Sequence, residues 1–400
     1  MTDDSAPLSQ VVLLKGKEKK IRNGYPFIFR DETGGWEGRP RPGDLVRVVD
    51  YSGGFVGYGY ANPKASLCVR VLTLNDSIPT IDFWINRIRS AVQRRQELVS
   101  HTSALRWVHA EADGCPGLII DRIGDYAVLQ SRTAGTDRIK AAVARFLLSD
   151  YGLKGVIERS DMPSRADEDL EQVKGVLAGS APEDPVIVDE QGLKFYADLL
   201  GGHKTGFYAD QRDNRATLGK MVTSEDRVLD LFCYNGGFSM AAARTGARVL
   251  GVDLDPAAIG LAIKNAELNG FHTCRFEAND VFSWLETAAT LSERYTVIII
   301  DPPAMAKKKA KADNEKWMFW RLVNGALKIL TPGGRLVVSS CAYHLSQPML
   351  AEAIRIASND VNRLLRVQSI TFQPDDHPWV LQIPESMYLK TFFLEDIPWH

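Results

Sequence analysis

Apolar and polar positions follow three different grammars along the 400-residue chain. From about Val11 to Thr73 the apolar runs are short (VVLL, LVRVV, GFVGYGY, LCVRVL) and broken by Gly, Pro and Asn. That pattern predicts a small all-β unit. From Leu74 to Glu190 helical spacing appears over Ile81 to His101, with Phe83, Ile88, Val92 and Leu98 on one face. Strand-like RWVHAEA, GLIIDRI and YAVLQSR follow, then a helix over Thr136 to Asp150 and a further strand in KGVIERSD. The stretch Pro163 to Pro185, rich in Asp, Glu, Gly and Pro, predicts a surface loop. This middle part predicts a small mixed α+β connector.

From about Gly192 onward strand and helix patterns alternate. RVLDLF, ARVLGVD, CRFEA, TVIIID and RLVVSS are nearly continuous apolar runs, as strands covered by helices on both faces must be. LLRVQSITF and YLKTFFLE lack a helical pattern between them and predict a hairpin at one edge. The fold class is therefore α/β: a C-terminal doubly wound, Rossmann-like domain preceded by a β-unit and a connector. The predicted domains are residues 1–74, 75–190 and 191–400.

Composition narrows this picture. With 45% hydrophobic and 24% charged residues and a net charge of -2, the chain is ordinary for a globular protein. A nucleic-acid partner must therefore be met by local patches. The β-unit supplies one, with eleven Lys/Arg against six Asp/Glu between Val11 and Thr73. LKGKEKKIRNGYPFIF interleaves Lys15, Lys19, Lys20 and Arg22 with aromatics, as a nucleic-acid surface does; a solvated turn before core aromatics is the plain alternative. No apolar run reaches membrane-spanning length and MTDDSAPLSQ has no apolar leader core, which predicts a cytoplasmic protein with no membrane partner. The five cysteines form no CxxC pair, so no metal site is expected.

The candidate chemistry lies in the α/β part. VLDLFCYNGGFS places Gly236 and Gly237 between a strand and a helix, where backbone can approach a ligand. Asp230, Asp253 and Asp280 come at the ends of three successive strands, and Asp253 can accept hydrogen bonds from a ribose. Three carboxylates on one sheet edge disfavour phosphates and suit a cationic ligand such as S-adenosylmethionine, which carries a sulfonium and an ammonium. Helix N-capping is the plain alternative for each Asp. Gln211 and Arg212, in GGHKTGFYADQRDNR, are placed to touch the same ligand, or else to begin a helix held by salt bridges.

IIIDPPAMAKKKAK ends the fourth strand. Asp301 stands where the ligand's methyl group should meet a substrate, and two prolines stiffen the loop behind it. Ala304 occupies the place where amino-group methyltransferases carry a stacking aromatic, which argues against attack by an exocyclic nitrogen. Lys307, Lys308 and Lys309 follow as candidate phosphate contacts. The next strand runs into SSCAYHLS. Taken alone, Cys341 reads as a small packed residue at a strand end. With Asp301 on the neighbouring strand it reads as a nucleophile: a thiolate adding to carbon 6 of a pyrimidine activates carbon 5 toward methylation. His344 and the lysine run are candidates for the positive surroundings a thiolate needs.

HKTGFYADQRDNR, LDLFCYNGGFS, DPPAMAKKK, SSCAYHLS and DHPWVLQIPESMYLKTFF together resemble the bacterial large-subunit rRNA methyltransferase I family. The N-terminal VVLLKGKEKKIRNGYPFIFRDE, RPGDLVRVVD and GYGYANPKASLCVRVLT look like that family's PUA domain, and the middle part is similar to its EEHEE connector. The resemblance implies 5-methylcytosine formation in 23S rRNA with S-adenosylmethionine, a nucleophile at Cys341 and a DPP motif at Asp301 to Pro303. The implied partner is large-subunit rRNA, and the implied state a monomer or homodimer. Methylation of a guanine nitrogen, or a non-catalytic role in ribosome assembly, are the competing expectations.

Overall fold

The computed structural model describes residues 8–398 except Val99, His203, Lys204, Ser292 and residues 305–311. The chain divides into two compact units: Met1–Val188 with Ala197–Ala209 and Asp376–Ser386, and Asp189–Tyr196 with Asp210–Asp375 and Met387–His400.

The first unit begins with a six-stranded sheet of β1 (Gln10–Leu13), β2 (Phe27–Phe29), β3 (Thr33–Glu37), β4 (Asp44–Val49), β5 (Phe55–Ala61) and β6 (Leu67–Thr73), in the order β2-β6-β5-β4-β1-β3. Its core is Val11, Leu13, Ile28, Val46, Val48, Val56 and Val69, the inward positions of alternating strands. Where the lysine-rich stretch reads as a turn, a short helix α1 (Glu18–Arg22) forms, because Ile21 can be buried from it.

The same unit holds α2 (Ile81–Arg94) and the sheet β7 (Ala104–His109), β8 (Leu118–Ile123), β9 (Tyr126–Ser131), β10 (Gly155–Ser160) and β11 (Val173–Gly179), with α3 (Ala134–Tyr151) packed against it. Strand β11 corrects the surface loop expected there. VKGVLAG pairs antiparallel with β10 at the sheet edge, where one-sided burial needs no apolar run. The helix expected to reach His101 stops at Arg94, followed by a 3-10 turn over Gln96–Leu98. Tyr60 of β5 stacks on Trp84 of α2 with ring centroids 5.9 Å apart, and Asn62 donates to Glu168 at 3.0 Å, so the two sheets share one packed unit.

Strands β12 (Val186–Glu190) and β13 (Leu193–Ala197) form a two-stranded ribbon. The second unit then runs α4 (Arg212–Met221), β14 (Arg227–Leu231), α5 (Gly237–Ala243), β15 (Arg248–Asp253), α6 (Pro256–Leu268), β16 (Cys274–Ala278), α7 (Val281–Ala288), β17 (Tyr295–Ile300), α8 (Ala312–Ile329), β18 (Leu330–Ser340), α9 (Gln347–Asp360), β19 (Leu364–Phe372) and β20 (Lys390–Ile397). The sheet order is β16-β15-β14-β17-β18-β20-β19, parallel except for β20. The expected hairpin exists, but β20 inserts between β18 and β19 rather than closing the edge. Successive residues of each central strand face opposite layers. Ile298, Ile300, Leu336 and Val338 pack on α7, α8 and α9, whereas Val297, Ile299 and Val337 pack on α4 and α5. The strand order reverses between β14 and β17, and it is at such a switch point that the carboxyl ends of strands leave a crevice for a ligand.

Candidate active site

The loop after β14 is shaped for close approach. Phe232, Tyr234 and Gly236 all have positive φ (63°, 47° and 79°), and two of these are non-glycine residues in a region they rarely occupy. The Phe232 and Cys233 amides bond to the Val252 carbonyl, which holds the strained turn on β15. Such strain collects at ligand sites because the surrounding structure must enforce it. Gly237 has a packing reason: a Cβ there would lie 3.2 Å from Cδ of Arg215, which is buried and paired with Glu190. That ion pair, with Arg212 beside Asp213 at 3.4 Å, matches the salt-bridge alternative for these arginines.

Asp230 lies inside β14, not at its end, and is 1% exposed. Burial pushes its carboxyl up to about 7 against the Ser239 hydroxyl bond at 2.6 Å, with Asp301 and Asp253 adding to the rise. Its Oδ1, and Nδ2 of the neighbouring buried Asn235, have no hydrogen-bond partner among the described residues. An orphaned buried polar atom costs roughly 1–3 kcal/mol. The carboxylate oxygen suits a ligand with a cationic amine and the amide N–H suits one with an acceptor such as a carboxylate; S-adenosylmethionine carries both. Asp253 ends β15; its Oδ2 accepts from the Tyr234 amide at 2.9 Å and its Oδ1 from the Asp255 amide at 3.0 Å. Asp280 follows β16 and caps α7 through the Ser283 amide at 2.9 Å, so one of its oxygens serves the helix.

Asp301 follows β17, and the parallel register of Ile300 with Val338 sets it level with Ser339. Gln211 lies 4% exposed beneath it. Its amide donates to Asp301 Oδ1 at 2.9 Å and to Ser339 Oγ at 2.8 Å, and its carbonyl accepts from Asn214 Nδ2 at 2.6 Å. Asn214 also reaches Thr391 Oγ1 at 3.0 Å, and Thr391 donates to Ser339 at 3.0 Å. Gln211 therefore has both ends of its amide engaged in holding Asp301 from behind.

Cys341 follows β18 directly and is half-buried. Cys68, Cys115 and Cys233 are buried and Cys274 is half-buried. Burial pushes Cys68 to about 11 and Cys115 and Cys274 to about 12, and raises Cys233 well above an ordinary thiol. Cys233 is 5% exposed, packed beside Gly251. His344 packs edge-on against Tyr343, three residues past Cys341. Lys307, Lys308 and Lys309 lie outside the described residues.

The N-terminal basic residues separate into two kinds. Lys20 is half-buried, bonded to Glu32 and placed over the Tyr25 and Phe29 rings, so it serves the fold. Lys15, Lys19 and Arg22 are exposed, Lys15 over the Tyr51 ring and Arg22 3.7 Å from Asp50. Among the described residues no cluster of three or more ligating side chains could hold a metal ion, and no helix is long and apolar enough to cross a membrane.

Known proteins match this chain along its length. A PUA-like domain family model matches residues 11–74 and a methyltransferase domain family model matches residues 222–381. The ribosomal RNA large subunit methyltransferase I of Vibrio cholerae is 35% identical over 389 residues, spanning 96% of this chain and 98% of its own. That of Aeromonas salmonicida is 34% identical over 386 residues, spanning 95% and 97%. The chain belongs to the ribosomal RNA large subunit methyltransferase I family. A solved chain from Streptococcus mutans, described as a SAM-dependent methyltransferase, has the same fold with a TM-score of 0.83 at 21% identity, covering 96% of this chain and 99% of that one. The second unit thus has the class I S-adenosylmethionine-dependent methyltransferase fold.

In this member of the large-subunit rRNA methyltransferase I family, Asn214, Ser339, Thr391 and Lys390 stand at the site without having been singled out in the sequence. The first three carry hydroxyls or an amide, which strand and helix patterns do not distinguish from surface residues. Lys390 did leave a signal. In LKTFFLED it falls in phase with Phe392 and Leu394, a cation at an inward position of a buried strand.

Proposed function

We propose that this chain forms 5-methylcytosine in large-subunit rRNA through a covalent adduct on Cys341. The observation that carries the proposal is the placement of a half-buried thiol directly after β18, beside the strand that ends at Asp301, on the edge where the carboxylate-lined loop lies.

Carbon 5 of cytosine is a poor nucleophile. The Cys341 thiolate adds to carbon 6, forming a C–S bond, and the electron pair of the carbon 5–carbon 6 double bond becomes available at carbon 5. Asp301, fixed by Gln211, holds the base edge and favours protonation at ring nitrogen 3. Bound S-adenosylmethionine would supply the methyl group for carbon 5, with S-adenosylhomocysteine as the leaving product. The carbon-5 proton then passes to a base, the double bond re-forms and the thiolate is expelled. One methyl replaces one hydrogen, one proton is released, and Cys341 is regenerated. Asp230, Asp253, Gly236 and Asn235 would hold the donor, and the Asp230 carboxylate would favour its positive charge.

Residues 1–74 act as the RNA-binding module through Lys15, Lys19 and Arg22, residues 75–190 as a connector, and residues 191–400 as the methyltransferase. Lys307 to Lys309 contact phosphates, and the reaction takes place in the cytoplasm, where the rRNA is made.

The test is incubation of the purified chain with large-subunit rRNA and methyl-labelled donor, followed by nucleoside mass spectrometry. The label is expected in 5-methylcytosine with wild type and absent with Cys341→Ser. Label in a methylated guanine, or full activity in Cys341→Ser, rejects the proposal.

A further inference from the structure

A thiol of ordinary acidity is mostly neutral at pH 7, so covalent attack by Cys341 requires something that favours the thiolate. Positive charge nearby does so, and the described residues hold one cation placed for it. Lys390 begins β20 and is 3% exposed. The antiparallel register sets it directly opposite Ser340, the residue before Cys341. Its ammonium donates to the carbonyl of Ala342, the residue after Cys341, and to the Tyr388 carbonyl at 3.1 Å. Lys390 thus pairs in register with the residue before the thiol and bonds through its ammonium to the carbonyl of the residue after it. Its cross-strand neighbour on the other side, Phe372 of β19, brings no charge.

From this geometry we infer that Lys390 is a positioning residue that keeps Cys341 in its thiolate form and fixes the turn that aims it, an inference resting on the covalent reading of Cys341. The ammonium has three N–H donors, and only two meet hydrogen-bond partners among the described residues. Tying two carbonyls needs no charge, and a neutral amide would do it without burying a cation. A buried ammonium kept beside a nucleophile is the arrangement found where thiol acidity is tuned. The charged groups facing it are Cys341 and Glu315 of α8, both of which favour its protonated form against burial. Burial lowers Lys390 to about 8, so it is mostly charged at pH 7 and loses its proton as pH rises through that value.

The test is peptide-resolved alkylation of Cys341 by iodoacetamide across pH in the full chain, with Cys274 followed as a control in the same samples. Lys390→Met removes both charge and bonds, whereas Lys390→Gln keeps a donor for the Ala342 carbonyl and loses only the charge. Both are expected to slow Cys341 alkylation at pH 7 about tenfold and leave Cys274 unchanged. Lys390→Arg is expected to stay within about threefold of wild type. A wild-type rate in Lys390→Gln, whatever Lys390→Met does, overturns the inference, because the role is then only to tie the turn. Should both neutral variants fail to fold, wild type alone decides: native Cys341 must reach half-maximal alkylation at lower pH than the same residue in urea, and the reverse order overturns it. Full methylation by Cys341→Ser would instead sink the covalent reading itself, independently of any Lys390 result.

Discussion

Gln211 Nε2 sits 2.9 Å from Asp301 Oδ1, with the other end of the same amide held by Asn214. The sequence suggested Gln211 as a cofactor contact; in the structure its amide supports Asp301. Gln211→Leu, close in volume, should lose a bond worth about 1–2 kcal/mol to a charged acceptor. The single-turnover methylation rate is expected to fall about 10–30-fold, with donor affinity by calorimetry changing less than about threefold. A large loss of donor affinity at an unchanged rate would return Gln211 to the cofactor.

Asp230 should work against stability in the absence of ligand. Its carboxyl is raised from 3.8 to about 7 by burial, so between those values the unfolded chain gives up the proton first and stability falls as pH rises. At about 1.4 kcal/mol per unit, the cost above pH 7 reaches at most about 4 kcal/mol. Asp230→Asn should therefore raise the melting temperature of the ligand-free chain at pH 8 and change it little at pH 4. The same variant should bind S-adenosylmethionine about tenfold more weakly, since it cannot face a cation with a charge. For wild type, donor affinity should fall as pH drops from 7 to 6. A melting temperature at pH 8 that is lowered by Asp230→Asn would contradict the assignment of an orphaned, costly carboxylate.

Lys19 and Lys20 are neighbours in sequence with separate tasks. Burial raises the Glu32 carboxyl, but the Lys20 hydrogen bond, the Phe29 amide and the charges of Lys20 and Lys17 outweigh it and hold it below the usual range. Lys20→Ala should cost about 1–2 kcal/mol of stability in denaturant unfolding. Lys19→Ala should leave stability unchanged, weaken RNA binding, and reduce the slope of log affinity against log salt by roughly 0.7–0.9. Equal effects of both substitutions on RNA affinity would remove the distinction.

Much of this was legible because the α/β part announces itself. Continuous apolar strands such as TVIIID demand cover on both faces, and Asp253, Asp301 and Cys341 each fall at or just past a strand's carboxyl end, so a linear pattern placed them on one edge. What was hidden depends on partners far away in sequence. Gln211 and Asp301 are ninety residues apart, and nothing local shows that one holds the other. Strand β11 was invisible because an edge strand with mostly exposed side chains has no apolar signature. His344 and the lysine run stood out beside Cys341 by proximity in sequence. Among the described residues Lys390 is a cation tied to the turn, forty-eight residues on from Ala342 and brought there by the insertion of β20 beside β18.

The most direct test of the account is trapping. RNA carrying 5-fluorocytosine at the target accepts the methyl group but cannot release fluorine from carbon 5 as a proton is released, so the Cys341–carbon 6 bond should persist. Denaturing electrophoresis and peptide mass spectrometry are expected to show a protein–RNA adduct on Cys341 in wild type and in Cys233→Ser, whose thiol is packed against Gly251, and none in Cys341→Ser. An adduct that survives loss of Cys341, or normal methylation of unmodified RNA with no adduct in any variant, would contradict covalent catalysis by this residue.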